Sequence, residues 1–203
     1  MFEDTYKTIR YASQGVYKEK GSKFLAFAYP IATEAEAKAH LEELRKQYFD
    51  ARHHCYAYIL GADKAAYRIN DDGEPSSTAG KPIYGQLLSH DLTNIIIVVV
   101  RYFGGIKLGV PGLINAYRTA AKDAIDNAII IEKNITEVYN LQFTYEQMNS
   151  VMKILKDEEL PQSNQKFELD CSLDFSVRLS ASTRVCDEFL KLKGVKLTLL
   201  RVE

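Results

Sequence analysis

The sequence predicts an α+β protein in two domains, and three observations carry that prediction. Residues 95–100, IIIVVV, are six branched apolar residues in a row. Without period-two alternation they suit a strand buried on both faces, and the run is too short to cross a membrane. Two segments, 37–48 and 113–128, carry apolar residues at helical spacing. Beyond Asn134 the pattern restarts as strand, helix, two strands, helix and strand. Asn134 therefore divides a first domain, 1–133, from a second, 134–203.

Lys23 to Ile31 (KFLAFAYPI) alternates as a strand does, with Pro30 ending ladder pairing. Thr33 then stands as an N-cap with Glu36 three residues on, and Ala37, Leu41, Leu44 and Tyr48 share one helical face. His54 to Leu60 and Ala65 to Ile69 read as two strands joined by a turn at 61–64. A polar loop, NDDGEPSSTAGK, spans Asn70 to Lys81, and its length points to function. Pro82 to His90 reads as a short helix and Val110 to Ala128 as a longer one, with Pro111 in its first turn where the missing N–H costs nothing. Ile129 to Glu132 closes the domain as a short strand. The second domain runs Thr136 to Tyr145 (strand), Gln147 to Glu158 (helix), Lys166 to Asp170 and Ser172 to Ser180 (strands), Ser182 to Leu192 (helix) and Val195 to Arg201 (strand). That order, βαββαβ, is the ferredoxin-like plait.

Composition narrows the function classes. The 203 residues are 46% apolar, enough for one sizeable core or two small ones, and the formal net charge of -1 leaves no global field to draw nucleic acid or anionic membrane. Any basic site must be local. Cys55, Cys171 and Cys186 are an odd number without CxxC spacing, which argues for reduced thiols. The start, MFEDTYKTI, has neither a signal pattern nor an anchor, so cytoplasmic residence is the expectation.

Several separated motifs, GSKFLAF, RINDDGEPSSTAGKPI and VVVRYFGGIKLG, occur in an order that resembles the YigZ/IMPACT family over residues 15–130. The resemblance implies a first domain folded like the second domain of ribosomal protein S-five. It implies a ferredoxin-like second domain resembling the last domain of elongation factor G. In eukaryotic members the family domain belongs to regulators of translation under amino-acid starvation. The resemblance supplies no reaction for bacterial members.

Chemistry concentrates in two stretches. Asp71, Asp72 and Glu74 put three carboxylates in four residues, read either as a solvated or partner-contacting turn or as a ligand or metal contact; the spacing is not that of a calcium-binding EF-hand loop. Ser76, Thr78 and their neighbours through Lys81 precede a helix, where hydroxyls and N–H groups either cap it or meet an anion. Neither SSTAGKP nor GGIKLG has Walker spacing. Arg101, Tyr102, Phe103, Gly104, Gly105 and Lys107 close the buried strand, as a phosphate clamp or hot spot or as core and tight turn. Arg68 is expected to pair with Asp71 or Asp72 and draw both stretches onto one surface. His53, His54 and Cys55 are adjacent on a strand and cannot converge on one ion without distortion.

The reading is a noncatalytic cytosolic binding module, linked to translation or its regulation through a ribosome, RNA or translation-factor partner. It calls for no cofactor, metal or membrane. The alternative is a hydrolase-type enzyme using the DDGE loop on a phosphorylated or peptide substrate.

Overall fold

A computed structural model describes residues 4–168 and 170–203. The opening reading of Met1 to Glu3, and Leu169 within a predicted strand, lie outside the described residues. The chain divides into two compact units, one of Tyr6–Lys133 and one of Asn134–Glu203 together with Asp4 and Thr5.

The first unit contains β1 (Thr5–Ile9), β2 (Ser13–Glu19), β3 (Ser22–Pro30), α1 (Glu34–Gln47), β4 (His53–Leu60), β5 (Ala66–Asn70), α2 (Gly80–Ser89), β6 (Ile95–Tyr102), α3 (Gly109–Asp126) and β7 (Ile130–Asn134). Five strands form an antiparallel sheet in the order β2-β3-β6-β4-β5, while β1 pairs with β7. β6 is therefore central, and its side chains feed two cores in alternation. Ile95, Ile97 and Val99 meet Ile83 and Leu87 of α2 and Tyr117 and Ala120 of α3. Ile96, Val98 and Val100 meet Ala37, Leu41 and Leu44 of α1. An unbroken branched run is what a strand covered on both faces requires.

Thr33 caps α1 by accepting from the Glu36 N–H at 3.2 Å, while Glu36 accepts from the Ala32 N–H at 2.7 Å. The reciprocal cap thus reaches one residue further back than the simplest capping box. α3 presents a strip of alanines, and β2 lies so close that a Cβ on Gly15 would stand 2.3 Å from the Ala124 nitrogen. Only glycine fits there.

The second unit comprises β8 (Thr136–Thr144), α4 (Met148–Asp157), β9 (Gln162–Phe167), β10 (Asp170–Arg178), α5 (Leu179–Leu190) and β11 (Lys196–Val202). Its sheet order is β11-β8-β10-β9, all antiparallel, as the βαββαβ order predicts. Leu141, Phe143, Leu173 and Phe175 pack against Val151, Leu155, Val185 and Phe189 of the two helices. Asp4 holds Arg178 through two hydrogen bonds, at 2.5 and 2.8 Å.

Three strands depart from the sequence expectation. β1 and β2 were not foreseen, because TYKTI and SQGVYKE are mostly polar and only partly buried. β9 begins four residues before the expected Lys166, since QSNQKF is a nearly fully exposed edge strand without an apolar alternation to mark it.

Gly15→Ala is expected to destabilise the protein by about 2 kcal/mol or more through overpacking of β2 on α3. A urea midpoint equal to that of the parent would contradict this packing.

Candidate functional site

The carboxylates of the polar loop diverge. Asp71 turns to the start of α2, where Oδ1 accepts from the Ala79 and Gly80 N–H groups at 3.0 and 2.8 Å and Oδ2 accepts from Ser77 at 2.8 Å. The negative group at this helix terminus is the chain's own side chain, so of the two readings of residues 76–81 the geometry follows capping, with Asp71 supplying the cap in place of the hydroxyls. Thr78 is buried and donates to the Pro75 carbonyl at 2.6 Å, and Ser76 is exposed. Asp72 accepts from the His54 N–H at 2.7 Å and from Arg45 at 3.4 Å. Asp72 and Ser77 both have positive φ, 40° and 64°, held by these bonds. Among the described residues no group of three or more His, Cys, Asp or Glu is placed to hold a metal ion.

Glu74 is the third carboxylate, and it enters the core. Its Oε1 accepts from Arg101 Nη1 at 2.6 Å and from the Tyr117 hydroxyl at 2.7 Å. The pair is buried, with side-chain exposures of 7% for Arg101 and 3% for Glu74, so neither charge is screened by water. Alternation along β6 explains the position. Arg101 continues the Ile95, Ile97, Val99 face, opposite Phe24 on β3 and His53 on β4. Its guanidinium carbon lies 5.4 Å from the Phe24 ring centre and 5.7 Å from that of Phe103, two cation–π contacts. Of the two readings of this strand end, clamp or hot spot against core, the burial of Arg101 follows the core one, and the residue is the floor of the site.

Cys55 extends the network: its sulfur lies 3.0 Å from the Asp71 carbonyl oxygen and 3.3 Å from the Tyr117 oxygen, the two acceptors open to its one S–H proton. Burial pushes both the Cys55 thiol and the Tyr117 hydroxyl well above their ordinary ranges, with the Glu74 charge adding to each. Both stay protonated, so Cys55 offers no thiolate. His53, on the same strand face, sets its Nδ1 at 2.8 Å from the Asp72 carbonyl oxygen. A carbonyl can only accept, so Nδ1 carries the proton, and in the neutral ring Nε2 is left as an acceptor. His54 points to the other face, and burial pushes its pKa down.

Arg101 and Glu74 form the base of a cleft of about 470 Å³, walled by Arg52, His53, Phe103 and Lys107 and by the apolar Leu108, Val110 and Leu113. Arg52 and Lys107 are exposed cations, Phe103 is 50% exposed and Val110 52%. Gly104 makes the strand end possible: a Cβ there would lie 1.9 Å from the Gly21 carbonyl carbon, and its N–H donates to Ser22 Oγ at 3.1 Å. Gly105, at φ 89°, continues the same turn into open space.

Of the residues singled out from sequence, the cleft gathers His53, Glu74, Arg101, Phe103 and Lys107. Tyr102 lies on the opposite sheet face, where its hydroxyl donates to Asp50 at 2.8 Å and burial, with Asp50, pushes its pKa up to about 12. Lys81 lines a separate groove with Ser77 and Arg118. Arg68 forms no ion pair with Asp71 or Asp72 among the described residues; it lines a groove beside α1, and Arg45 takes Asp72 instead. The two loops do meet, through Arg101 and Glu74. Sequence reasoning missed Arg52, Val110 and the site role of Tyr117. The last had one signal, a lone hydroxyl in an alanine-rich helical stripe that needs a buried partner.

A family model described as Impact N-terminal domain matches residues 20–125. The chain is 32% identical to the IMPACT family member YvyE of Bacillus subtilis over 155 residues, covering 76% of this chain and 71% of that protein. It is 40% identical to the IMPACT family member YigZ of Escherichia coli over 139 residues, covering 67% and 68%. A solved structure described as the crystal structure of a hypothetical protein superposes with a TM-score of 0.78 at 28% identity, over 98% of this chain and 99% of that one.

Breaking the buried pair by Arg101→Met or by Glu74→Leu is expected to cost about 3–5 kcal/mol each, and the double substitution less than their sum. A urea-denaturation cycle measures this, and simple additivity would contradict the coupling. Cys55 and Tyr117 have folded-state pKa values above their unfolded ones, so their contribution is full below the unfolded thiol value of about 8.5 and is lost as pH rises. The urea midpoint of the parent should therefore fall more above that pH than that of Cys55→Ala; equal falls would contradict the assignment.

Proposed function

The chain belongs to the IMPACT family, and from that premise we propose that it is a noncatalytic binding module that engages a partner of the translation machinery through the cleft at the end of β6. The observation that carries this reading is the buried Arg101–Glu74 pair. It locks the polar loop and the glycine turn to one strand end, so the cleft is preformed and its rim is not spent on internal pairing. The rim sets two exposed cations, Arg52 and Lys107, beside the exposed Phe103 and an apolar wall. Arginine, lysine and aromatic groups around an apolar patch suit recognition of ribosomal RNA or of a translation-related protein.

The translation link comes from the family resemblance, and the choice of cleft comes from the geometry. The hydrolase reading would need a carboxylate free to take a proton or to hold a metal. Asp71 is committed to a helix terminus, Asp72 to a backbone N–H and Arg45, and Glu74 to Arg101 and Tyr117. Free thiols at Cys55, Cys171 and Cys186 fit a cytoplasmic setting. Among the described residues no helix is long and apolar enough to cross a membrane.

Cosedimentation with purified ribosomes across a salt series tests the proposal. Lys107→Glu and Phe103→Ala, both at exposed positions, are expected to weaken saturable binding by about tenfold each, with the Lys107 change also reducing the salt dependence. Leu88→Ala, at an exposed position outside the cleft, should leave binding unchanged. No binding at low salt, or equal binding by all variants, would overturn the reading.

A further inference from the structure

The five-stranded sheet has two edges, and they are treated differently. At β2 the outward backbone groups are occupied by α3: the Val16 N–H donates to Asp123 Oδ2 at 2.8 Å, and the Gln14 carbonyl accepts from Asn127 Nδ2 at 2.9 Å. At β5 the backbone pairs with β4 on one side, and among the described residues no backbone hydrogen bond is made on its other side; α2 begins close against Asn70, which leaves Ala66, Tyr67 and Arg68 as the exposed part of the edge. The register with β4 is regular, and AYRIN has no proline to blunt the edge.

Both faces beside this edge carry recognition chemistry. On the α1 face, Arg68, Arg45 and Lys38 stand around a groove of about 350 Å³ floored by Tyr56, Tyr58 and Leu41, with Glu34 its one carboxylate. Arg45 pairs with the half-buried Asp72 at 3.4 Å and Lys38 with the exposed Glu42 at 3.8 Å, and Arg68 has no ion pair among the described residues. The Lys38–Glu42 pair, exposed at both ends, contributes little and can be exchanged. On the α2 face, Tyr67 is 55% exposed and stacks on Tyr84 with ring centres 4.9 Å apart.

We propose that β5 is an acceptor edge for an extended acidic segment of a partner protein, added as a sixth strand. Main-chain pairing would supply affinity, and the two faces would read alternate side chains. A strand laid along β5 sends one set over the three cations and the other over the tyrosine pair. The fitting segment therefore alternates Asp or Glu with apolar residues. A second copy of this chain fits poorly, because Arg68 is the middle residue of β5 and a twofold antiparallel pairing would set it against its own symmetry mate. The Arg68 groove lies on the opposite sheet face from the Arg101 cleft, since Arg68 pairs with Tyr58 of the α1 core, and the Tyr67–Tyr84 pair, though on the cleft's face, is not among the residues lining the cleft. The proposal goes beyond the cleft reading and stands or falls without it.

Fluorescence anisotropy of a labelled peptide of alternating Glu and Val, titrated with the full chain, tests the assignment. The expected result is saturable binding, weakened by about tenfold in Arg68→Glu. A peptide alternating Lys and Val should bind the parent weakly and regain affinity for Arg68→Glu. Methylating alternate peptide nitrogens should abolish binding in one phase and spare it in the other, which separates strand addition from simple charge attraction. Arg68 is exposed, so circular dichroism of Arg68→Glu should match the parent. Absence of saturable binding to the parent, indifference to methylation in both phases, or a dimer of the chain lost in Arg68→Glu would each overturn the proposal.

Discussion

The burial of one charge, Arg101, organises the first unit. β6 cannot end in another branched residue and still meet the polar loop, and an arginine on its inward face demands a partner out of water. Glu74 supplies the charge, Tyr117 donates to the same oxygen, and Phe24 and Phe103 stand beside the guanidinium. An isolated buried ion costs several kcal/mol, whereas a paired and hydrogen-bonded one is tolerated and fixes geometry. Three segments distant in sequence, the acidic loop, the end of β6 and the middle of α3, are held to one point by this arrangement.

The same network explains why the loop is rich in carboxylates without forming a metal site. Each acidic group answers a separate need of the fold: Asp71 the unpaired N–H groups of α2, Asp72 the backbone of β4 and Arg45, Glu74 the buried arginine. A helix terminus, the unpaired start of a strand and a buried cation all call for negative charge. Their adjacency in sequence records a short loop that serves three neighbours. What remains outside for a partner is the rim, in which cations and an aromatic ring stand beside apolar side chains.

Edges show the complementary logic. β2 is sealed by α3, with Gly15 permitting the close approach that lets Asp123 and Asn127 reach its backbone. β5 has no such cover among the described residues and carries a single charge at its centre. An edge left open beside a basic groove and a tyrosine pair is both a liability for self-association and a place for a partner, and Arg68 serves both ends by repelling its own copy and attracting acid.

The sequence by itself determined the framework. The branched run of β6, the helical stripes of α1 and α3, the Thr33 cap and the βαββαβ order of the second unit are written in local periodicities, because burial on a strand or helix face repeats every two or 3.6 residues. Polar edge strands such as β2 and β9 have no such repeat, and they escaped it. Charge pairing was decided only by the tertiary structure. Arg68 and Asp71 are near in sequence and do not pair, whereas Arg101 reaches Glu74 across 27 residues and Tyr117 reaches it across 43. Which donor meets which carboxylate depends on the sheet register and on the seat of α3. Contacts between segments far apart in the chain leave no periodic mark in either one.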